Sequence, residues 1–222
     1  MILLENIQKS VSAGIKEEQR SILRNISFSV PHGNVTAIVG PSGSGKSTLL
    51  QIIGLLDIPT NGKLILNGIE CSFKSDKIAT VMRKEMIGFV YQFHYLLSGF
   101  TVLENLLIPM RIKNKNADKE IAFSTLKKFN LEQKANMVVD QLSGGEKQRV
   151  AVARGIINSP KIVIADEPTG SLDRRNADCV FEVLLEVARE NDTTVIIATH
   201  DDNIAKNCDQ VFMLSDGYLT KM

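Results

Sequence analysis

The sequence predicts an α/β fold, and two observations support that class. Short β-rich runs, "VTAIV" (35–39), "KIVIA" (161–165) and "TTVIIAT" (193–199), alternate with longer stretches of helical character. Such alternation is typical of a largely parallel sheet covered by helices. The run "KLILNG" ends in Asn67-Gly68, a dipeptide that favours hairpin turns. A smaller antiparallel β section is therefore expected beside the N-terminal strands.

The middle of the chain predicts an inserted helical subdomain. Between about residues 92 and 158 the β signal fades, and "ADKEIAFSTLKKFN" (117–130) has apolar residues at helical spacing. We expect residues 1–91 and 159–222 to form the core domain and residues 92–158 to form the helical subdomain. A chain of 222 residues with 44% hydrophobic content can bury a core of this size.

Charge and composition narrow the function classes. Lys and Arg number 26 against 25 Asp and Glu, a net charge of +1, so we expect no nucleic-acid partner. The three cysteines, Cys71, Cys179 and Cys208, are odd in number and far apart, which favours reduced structural thiols. No apolar run approaches the ~18 residues of a membrane span, so a membrane role is expected to come through partners.

The first chemical motif is "GPSGSGKST" (40–48), which follows one predicted strand and precedes the helix-like "STLLQIIG". It fits the P-loop pattern G-x-x-x-x-G-K-[ST] in the required context, whereas an ordinary glycine-rich turn would lack that context. Backbone amides of such a loop and the helix N-terminus can surround phosphates, with Lys46 adding a positive charge and Ser47 a Mg²⁺ ligand. The predicted ATP-binding residues here are Gly40, Pro41, Ser42, Gly43, Ser44, Gly45, Lys46, Ser47 and Thr48.

The second motif places two acidic residues, Asp166 and Glu167, at the end of the apolar run "KIVIA". A parallel sheet presents side chains at this position to the ligand crevice. Asp166 can hold Mg²⁺, and Glu167 can orient and polarise the attacking water of phosphoryl transfer. An isolated Asp-Glu pair is more often part of a solvated loop, and the nearby P-loop favours the catalytic interpretation.

The third motif, "LSGGEKQRV" (142–150), begins a predicted helix that continues to about residue 158, before Pro160. Ser143, Gly144 and Gly145 at its N-terminus can form a second anion site from backbone amides and the helix dipole. From the residues alone, a flexible helix cap is an equal alternative.

In this order and spacing, the P-loop, "LSGGEKQR", "IVIADEPTGSLD" and "IIATHD" resemble the ATP-binding cassette family over nearly the whole chain. The resemblance implies a head-to-tail homodimer, with ATP between one P-loop and the signature loop of the other copy. It also implies that Gln92 contacts Mg²⁺ and water, that Asp173 lies where a loop crosses the dimer, and that His200 contacts the γ-phosphate. The implied cofactors are ATP and Mg²⁺.

One position departs from the family pattern. The family usually places an aromatic residue on the N-terminal strand after "LLENIQKS", to stack on adenine, but this chain has Val11 there and no aromatic residue before Phe28. Because stacking contributes about 1–3 kcal/mol per base, we expect ATP affinity about tenfold weaker than in a stacked relative, with poorer discrimination of ATP from GTP.

An aromatic cluster, "YQFHYLLSGFTVLEN" (91–105), begins beside Gln92. Composition alone allows either a buried patch or a docking surface. In the family this region receives a short helix of the membrane subunit, and the segment is similar to that of lipoprotein-releasing ATPases. The resemblance implies that integral membrane subunits dock there, at the cytoplasmic face of the inner membrane. The predicted docking residues are Phe93, His94, Tyr95, Leu96 and Leu97.

The expected function is therefore ATP hydrolysis that drives lipoprotein release from the inner membrane toward the outer membrane. A related exporter, or a MacB- or FtsE-like assembly that transmits motion through the membrane, is the alternative in the same class. A cassette protein of translation or DNA repair is a third possibility. It is disfavoured by the single cassette and the absence of a heptad insert.

Overall fold

A computed structural model describes residues 1–13, 18–71, 73, 75–114, 116–170 and 172–222. A six-stranded sheet forms its centre, in the order β10-β9-β3-β8-β7-β6. Five neighbouring strands run parallel, and β10 pairs antiparallel with β9 at one edge. The strands are β3 (Val35–Val39), β6 (Ile87–Val90), β7 (Ile162–Asp166), β8 (Thr194–Ala198), β9 (Gln210–Ser215) and β10 (Tyr218–Lys221). The parallel α/β architecture is confirmed.

A second, four-stranded antiparallel sheet has the order β2-β1-β4-β5. It consists of β1 (Ile2–Ala13), β2 (Glu18–Val30), β4 (Asn61–Leu66) and β5 (Ile69–Glu70). Asn67 (φ +50°) and Gly68 (φ +80°) join β4 to β5, so the predicted hairpin turn and antiparallel section are confirmed. Two residues at positive φ fit a two-residue turn whose twist matches the strands.

Helices cover both faces of the large sheet. They are α1 (Lys46–Ile53), α2 (Asp76–Met86), α3 (Val102–Asn114), α4 (Lys119–Lys128), α5 (Gly144–Ile156), α6 (Arg174–Asn191) and α7 (Asp202–Lys206), with short 3₁₀ turns at Glu132–Lys134 and Val139–Gln141. Helix α4 occupies the stretch predicted from its apolar spacing. Among the described residues, none of these helices has the length and apolarity that crossing a bilayer requires.

Alternate residues of the central strands pack into two different hydrophobic cores, one on each face of the sheet. On β7, Ile162 and Ile164 point into a core shared with α1 and the antiparallel sheet, while Val163 and Ala165 point into a core shared with α3, α5 and α6. This period of two is what a strand buried on both faces requires. Helix α1, and with it the P-loop, therefore lies between the two sheets. The helices between β6 and β7 pack on the opposite face.

The division into a core domain (1–91 and 159–222) and a helical subdomain (92–158) stays a prediction. The edge strand β6 was not anticipated, because its four residues, "IGFV", follow helix α2 directly and give too short a periodic signal.

Candidate functional site

The P-loop begins where the buried strand β3 ends. Gly40 has φ +151°, and a Cβ atom added there would lie 2.1 Å from the backbone oxygen of Leu214 on β9. Because β3 and β9 are hydrogen-bonded neighbours, neither backbone can move away freely. Glycine is therefore required at position 40 for both conformation and space.

The rest of the P-loop connects directly to helix α1. Gly43 (φ +77°) and Gly45 (φ +105°) adopt positive φ, and Gly45 caps the helix without any side-chain hydrogen bond. The first amides of α1 thus keep their capacity to bind an anion. The Lys46 ammonium donates to the backbone oxygens of Gly40 (2.8 Å) and Pro41 (3.1 Å), which holds the positive charge at the loop.

Asp166, the last residue of β7, lies beside the start of helix α1. Burial raises the pKa of this half-buried carboxyl group, and the neighbouring Glu167 adds to the rise. A hydrogen bond with the Ser47 side chain and the charge of Lys46 oppose it. The fold therefore brings two of the three predicted Mg²⁺ ligands, Ser47 and Asp166, into contact.

Glu167 is held in a strained and specific position. Its φ is +47°, uncommon for a side-chain-bearing residue, and its amide donates to the oxygen of Ala198 on β8 at 2.9 Å. The side chain is only 13% exposed, and its Oε2 atom lies 2.9 Å from Nδ1 of His200. His200 follows β8 and is 71% exposed. The contact fixes one oxygen of the carboxylate, and the described residues form no hydrogen bond with the other.

A cavity of about 880 Å³ connects these groups to the antiparallel sheet. The P-loop lines this cavity together with Gln92, Asp166 and Glu167. Five residues of the β1–β2 ribbon also line its wall: Val11, Arg20, Ser21, Ile22 and Arg24. Asp216 and Gly217 complete the lining. The cavity therefore contains the predicted catalytic residues Lys46, Gln92 and Glu167, and His200 contacts it through Glu167.

Val11, the residue that departs from the family's aromatic pattern, lies in the wall of this cavity. Val11 is 39% exposed and pairs with Arg20 across the ribbon. None of the described residues lining the cavity is aromatic. A base that reaches this wall meets aliphatic and guanidinium surface, and the weaker ATP affinity stays a prediction.

We expect Val11→Tyr to tighten ATP binding about tenfold and to increase the preference for ATP over GTP, because an aromatic ring adds base stacking. Equilibrium titration with both nucleotides measures the effect. Binding of tripolyphosphate, which has no base, is the control and should not change. Equal ATP affinity in the two proteins would show that Val11 does not contact the base.

The signature loop lies apart from this cavity. Ser143 caps helix α5 in a capping box, in which its Oγ accepts from the amide of Glu146 (3.4 Å) and the Glu146 carboxylate accepts from the Ser143 amide (3.0 Å). Ser143 and Gly144 are exposed, and Ser143, Gly144 and Gly145 are absent from the cavity lining. Within one chain, the two predicted anion sites are therefore not brought together.

Asp173 lies near the signature loop and also outside the cavity. Its carboxylate caps helix α6 by accepting from the Asn176 amide (2.9 Å) and the Asn176 side chain (2.7 Å), and these bonds lower its pKa. A Cβ atom added at Gly145 would lie 3.4 Å from the Leu172 side chain. The two segments predicted to face a second copy are thus neighbours on one surface.

The predicted docking segment has both exposed and half-buried members. Phe93 is 70% exposed, Tyr95 is 65% exposed and Leu97 is also exposed, whereas His94 and Leu96 are half-buried. The Tyr95 ring packs edge-on against Tyr91 at 5.3 Å between centroids and against Phe93 at 6.5 Å. The exposed side chains of Phe93, Tyr95 and Leu97 form a patch of two aromatic rings and one leucine, called the aromatic patch below.

Two polar residues of helix α5 were missed by sequence reasoning. Gln148 is 1% exposed, and its Nε2 atom donates to the backbone oxygens of Pro168 (2.8 Å) and Tyr91 (3.3 Å). Arg154 donates to the backbone oxygens of Tyr95 (2.5 Å) and His94 (2.8 Å). For Gln148 the sequence did contain a signal, because this glutamine shares a helix face with the apolar Ala151 and Val152.

Comparison with known proteins identifies relatives of this arrangement. The profile of the family described as "ABC transporter" matches residues 23–170. The lipoprotein-releasing system ATP-binding protein LolD of Anaplasma marginale is 48% identical over 203 residues, which cover 90% of this chain and 91% of the relative. LolD of Ehrlichia chaffeensis is 45% identical over 219 residues, covering 97% and 92%.

Solved structures agree with these relatives. The dimeric structure of a post-hydrolysis state of the ATP-binding cassette MJ0796 bound to ADP and Pi superposes with a TM-score of 0.92 at 37% identity, covering 100% of this chain and 98% of that one. CbiO1 from Clostridium perfringens, part of the ABC transporter complex cbiONQ, has a TM-score of 0.84 at 28% identity and covers 99% and 86%. With the P-loop, the paired carboxylates and the signature helix in place, the chain belongs to the ABC transporter family of ATP-binding cassettes.

Proposed function

We propose that this chain is the ATP-hydrolysing subunit of a transporter that releases lipoproteins from the inner membrane toward the outer membrane. The observation that carries the chemistry is the 2.9 Å contact between His200 Nδ1 and Glu167 Oε2 at the wall of the P-loop cavity. The lipoprotein cargo is supported by the relatives, since LolD proteins from two genera are more than 40% identical over most of the chain.

The residues present fit the phosphates of ATP. Ser44 Oγ is buried and has no hydrogen-bond partner among the described residues, and the Lys46 ammonium contacts loop oxygens. Buried polar atoms normally have partners, so an unpartnered hydroxyl in a glycine-rich loop at a helix N-terminus is consistent with a ligand site. ATP is expected to place its phosphates between Gly40 and Thr48, with its base toward Val11.

The same edge fits Mg²⁺. Ser47, Asp166 and Gln92 offer a hydroxyl, a carboxylate and an amide oxygen, the hard ligands that this ion prefers. Among the described residues no group of three His, Cys, Asp or Glu side chains forms a protein-only metal cluster. That agrees with Mg²⁺, which is commonly bound by one or two carboxylates and the substrate phosphates. When bound, the ion would neutralise phosphate charge.

Glu167 is the residue best placed to handle the attacking water. The unusual backbone conformation and the His200 contact fix its carboxylate, so little reorganisation is needed before it orients water and accepts a proton. His200 keeps the carboxylate in place, and its largely exposed ring is the proposed contact to the γ-phosphate. Both roles require positioning more than covalent chemistry, as phosphoryl transfer does.

A second copy of the chain supplies the remaining contacts in this proposal. The signature loop, Ser143 to Gly145, is exposed and lies outside the P-loop cavity of its own chain, with Asp173 nearby on the same surface. A head-to-tail pair would place each signature loop over the other copy's ATP. The dimeric form of the structural relative MJ0796 supports this arrangement.

Integral membrane subunits similar to LolC and LolE are the proposed partners, contacted at the cytoplasmic face of the inner membrane. The aromatic patch offers apolar rings with polar atoms, a combination enriched in protein interfaces. His94 and Leu96 are half-buried, so in this proposal they support the segment more than they face the partner. A MacB- or FtsE-like role is less supported, because the curated relatives described above bear the LolD name.

A pull-down from detergent-solubilised native membranes tests the proposal. A Glu167→Gln chain with Mg-ATP is used, to hold the closed pair, and captured proteins are identified by mass spectrometry. Recovery of LolC- or LolE-like proteins is the expected result. Recovery of a different permease would agree with an ATPase that drives transport but contradict the lipoprotein cargo. Recovery of ribosomal or repair proteins would contradict the transport function itself.

We expect Phe93→Ala and Tyr95→Ala each to reduce co-purification of the membrane subunits by about thirtyfold, because truncating a hot-spot aromatic anchor costs about 2 kcal/mol or more. Quantitative mass spectrometry of the pull-down measures it. Phe123→Ala, which removes an exposed aromatic ring from helix α4, is the matched control. Unchanged recovery with both patch variants would place the partner elsewhere.

A further inference from the structure

Helix α5 holds the backbone of segment 91–95 at both ends. At the first end, Gln148 donates to the oxygen of Tyr91, and at the other end Arg154 donates to the oxygens of His94 and Tyr95. Between these anchors, Gln92 lines the P-loop cavity and Phe93 projects into solvent. The segment therefore cannot shift relative to helix α5 without losing three hydrogen bonds.

The Arg154 contacts are unusual because a half-buried guanidinium donates to backbone oxygens and not to a carboxylate. Among the described residues no carboxylate forms an ion pair with its guanidinium. Burial lowers the pKa of Arg154. A charge that loses solvent without gaining an opposite charge is costly. The planar fork, however, matches two successive carbonyl groups, and it fixes Tyr95 at φ +45°, where side-chain residues are rarely found.

Gln148 makes a second connection, to the catalytic side. The same Nε2 atom that donates to Tyr91 also donates to the oxygen of Pro168, the residue after Glu167. Helix α5 starts at the signature loop, so this one helix contacts the signature loop, the loop of the catalytic carboxylate and the aromatic patch. Thirteen helical residues span about 20 Å, so the three sites lie within this distance along one continuous helix.

We propose that Gln148 and Arg154 are positioning residues that clamp segment 91–95 to helix α5, so that movement of this helix during the nucleotide cycle is passed to Phe93 and Tyr95. The inference rests on the proposed function, since it requires that ATP draws the signature loop onto a second copy. It adds two residues that contact neither ATP nor the membrane partner but connect the two sites.

A tryptophan reporter tests the clamp. The chain has no tryptophan, so Phe93→Trp introduces a single indole at an exposed position of the aromatic patch. In a Glu167→Gln background, Mg-ATP should change the emission of this tryptophan when the pair closes. Arg154→Met keeps the apolar stem but removes the donors, and we expect it to reduce the ATP-dependent change about threefold or more. Arg154→Lys, with a charge but no planar fork, should give an intermediate response.

Arg189→Met is the matched control, because it removes an exposed arginine from a different helix, α6. A response in Arg154→Met equal to that of the reporter protein would overturn the clamp, as would an equal loss in Arg189→Met. A merely structural Arg154 would lower the melting temperature and leave the response of the folded protein unchanged. If Arg154→Met does not fold, Arg154→Lys decides, and an unchanged response in it overturns the proposal.

Size-exclusion chromatography separates this test from the proposed function. Failure of the reporter protein to form an ATP-dependent pair would contradict the proposed function itself. Formation of the pair without any change in tryptophan emission would contradict only the clamp, because the nucleotide cycle would then run without reaching the patch. Pairing in Arg154→Met together with a reduced emission change supports both.

Discussion

Replacing Glu167 by glutamine is expected to lower the rate of ATP turnover by about 10³-fold, within the range that a positioned acid–base group contributes. Glutamine keeps the shape of the side chain and can still contact His200, but it cannot accept a proton at neutral pH. Binding of ATP should remain within a few-fold, since Lys46 and the P-loop amides are untouched. Phosphate release measures turnover, and equilibrium dialysis with labelled nucleotide measures binding.

The control for that result is Glu182→Gln, which neutralises an exposed glutamate on helix α6. It should leave turnover unchanged. His200→Ala should have a smaller effect than Glu167→Gln, because it removes a contact that fixes the carboxylate and leaves the proton acceptor in place. Turnover in Glu167→Gln within tenfold of the unmodified chain would assign proton acceptance to another group.

Sequence reasoning succeeded where a feature is local. The strand, glycine loop and helix around positions 35–53 are specified by neighbouring residues, because burial, positive φ and the helix start all depend on short spacing. The strand ends at Asp166 and Ala198 were also predictable, since apolar β-branched runs mark them. The predicted core strands and the antiparallel hairpin were confirmed for this reason.

Non-local geometry could not be read from the sequence. The Glu167–His200 contact joins residues 33 positions apart, and the contact between Gln148 and Tyr91 spans 57. Each depends on how helices pack against the sheet. The left-handed backbone conformation of Glu167 could not be predicted either, because a glutamate gives no local signal for positive φ. The separation of the signature loop from the P-loop likewise follows only from the packing of helix α5.

Gly40→Ala is expected to reduce ATP affinity at least about 100-fold. The added Cβ atom would begin 2.1 Å from the Leu214 oxygen, whereas real Cβ contacts essentially never fall below 3.0 Å. The start of the P-loop must therefore move by about 1 Å, and a displacement of this size can cost about 10² in a site that depends on positioned donors. Overpacking and the positive φ together should lower the free energy of unfolding by about 3 kcal/mol. ATP titration and denaturant unfolding measure the two effects.

Gly43→Ala is the control in the same loop, since it separates the backbone conformation from the clash. Gly43 also has a positive φ, but a Cβ atom there meets no atom of the described residues within 4 Å. Only the conformational cost applies, about 1–2 kcal/mol of stability, and ATP affinity should stay within about tenfold of the unmodified chain. Equal losses in the two variants would mean that positive φ alone governs the loop. A larger loss in Gly40→Ala shows that the close approach of β3 to β9 fixes where the phosphates bind.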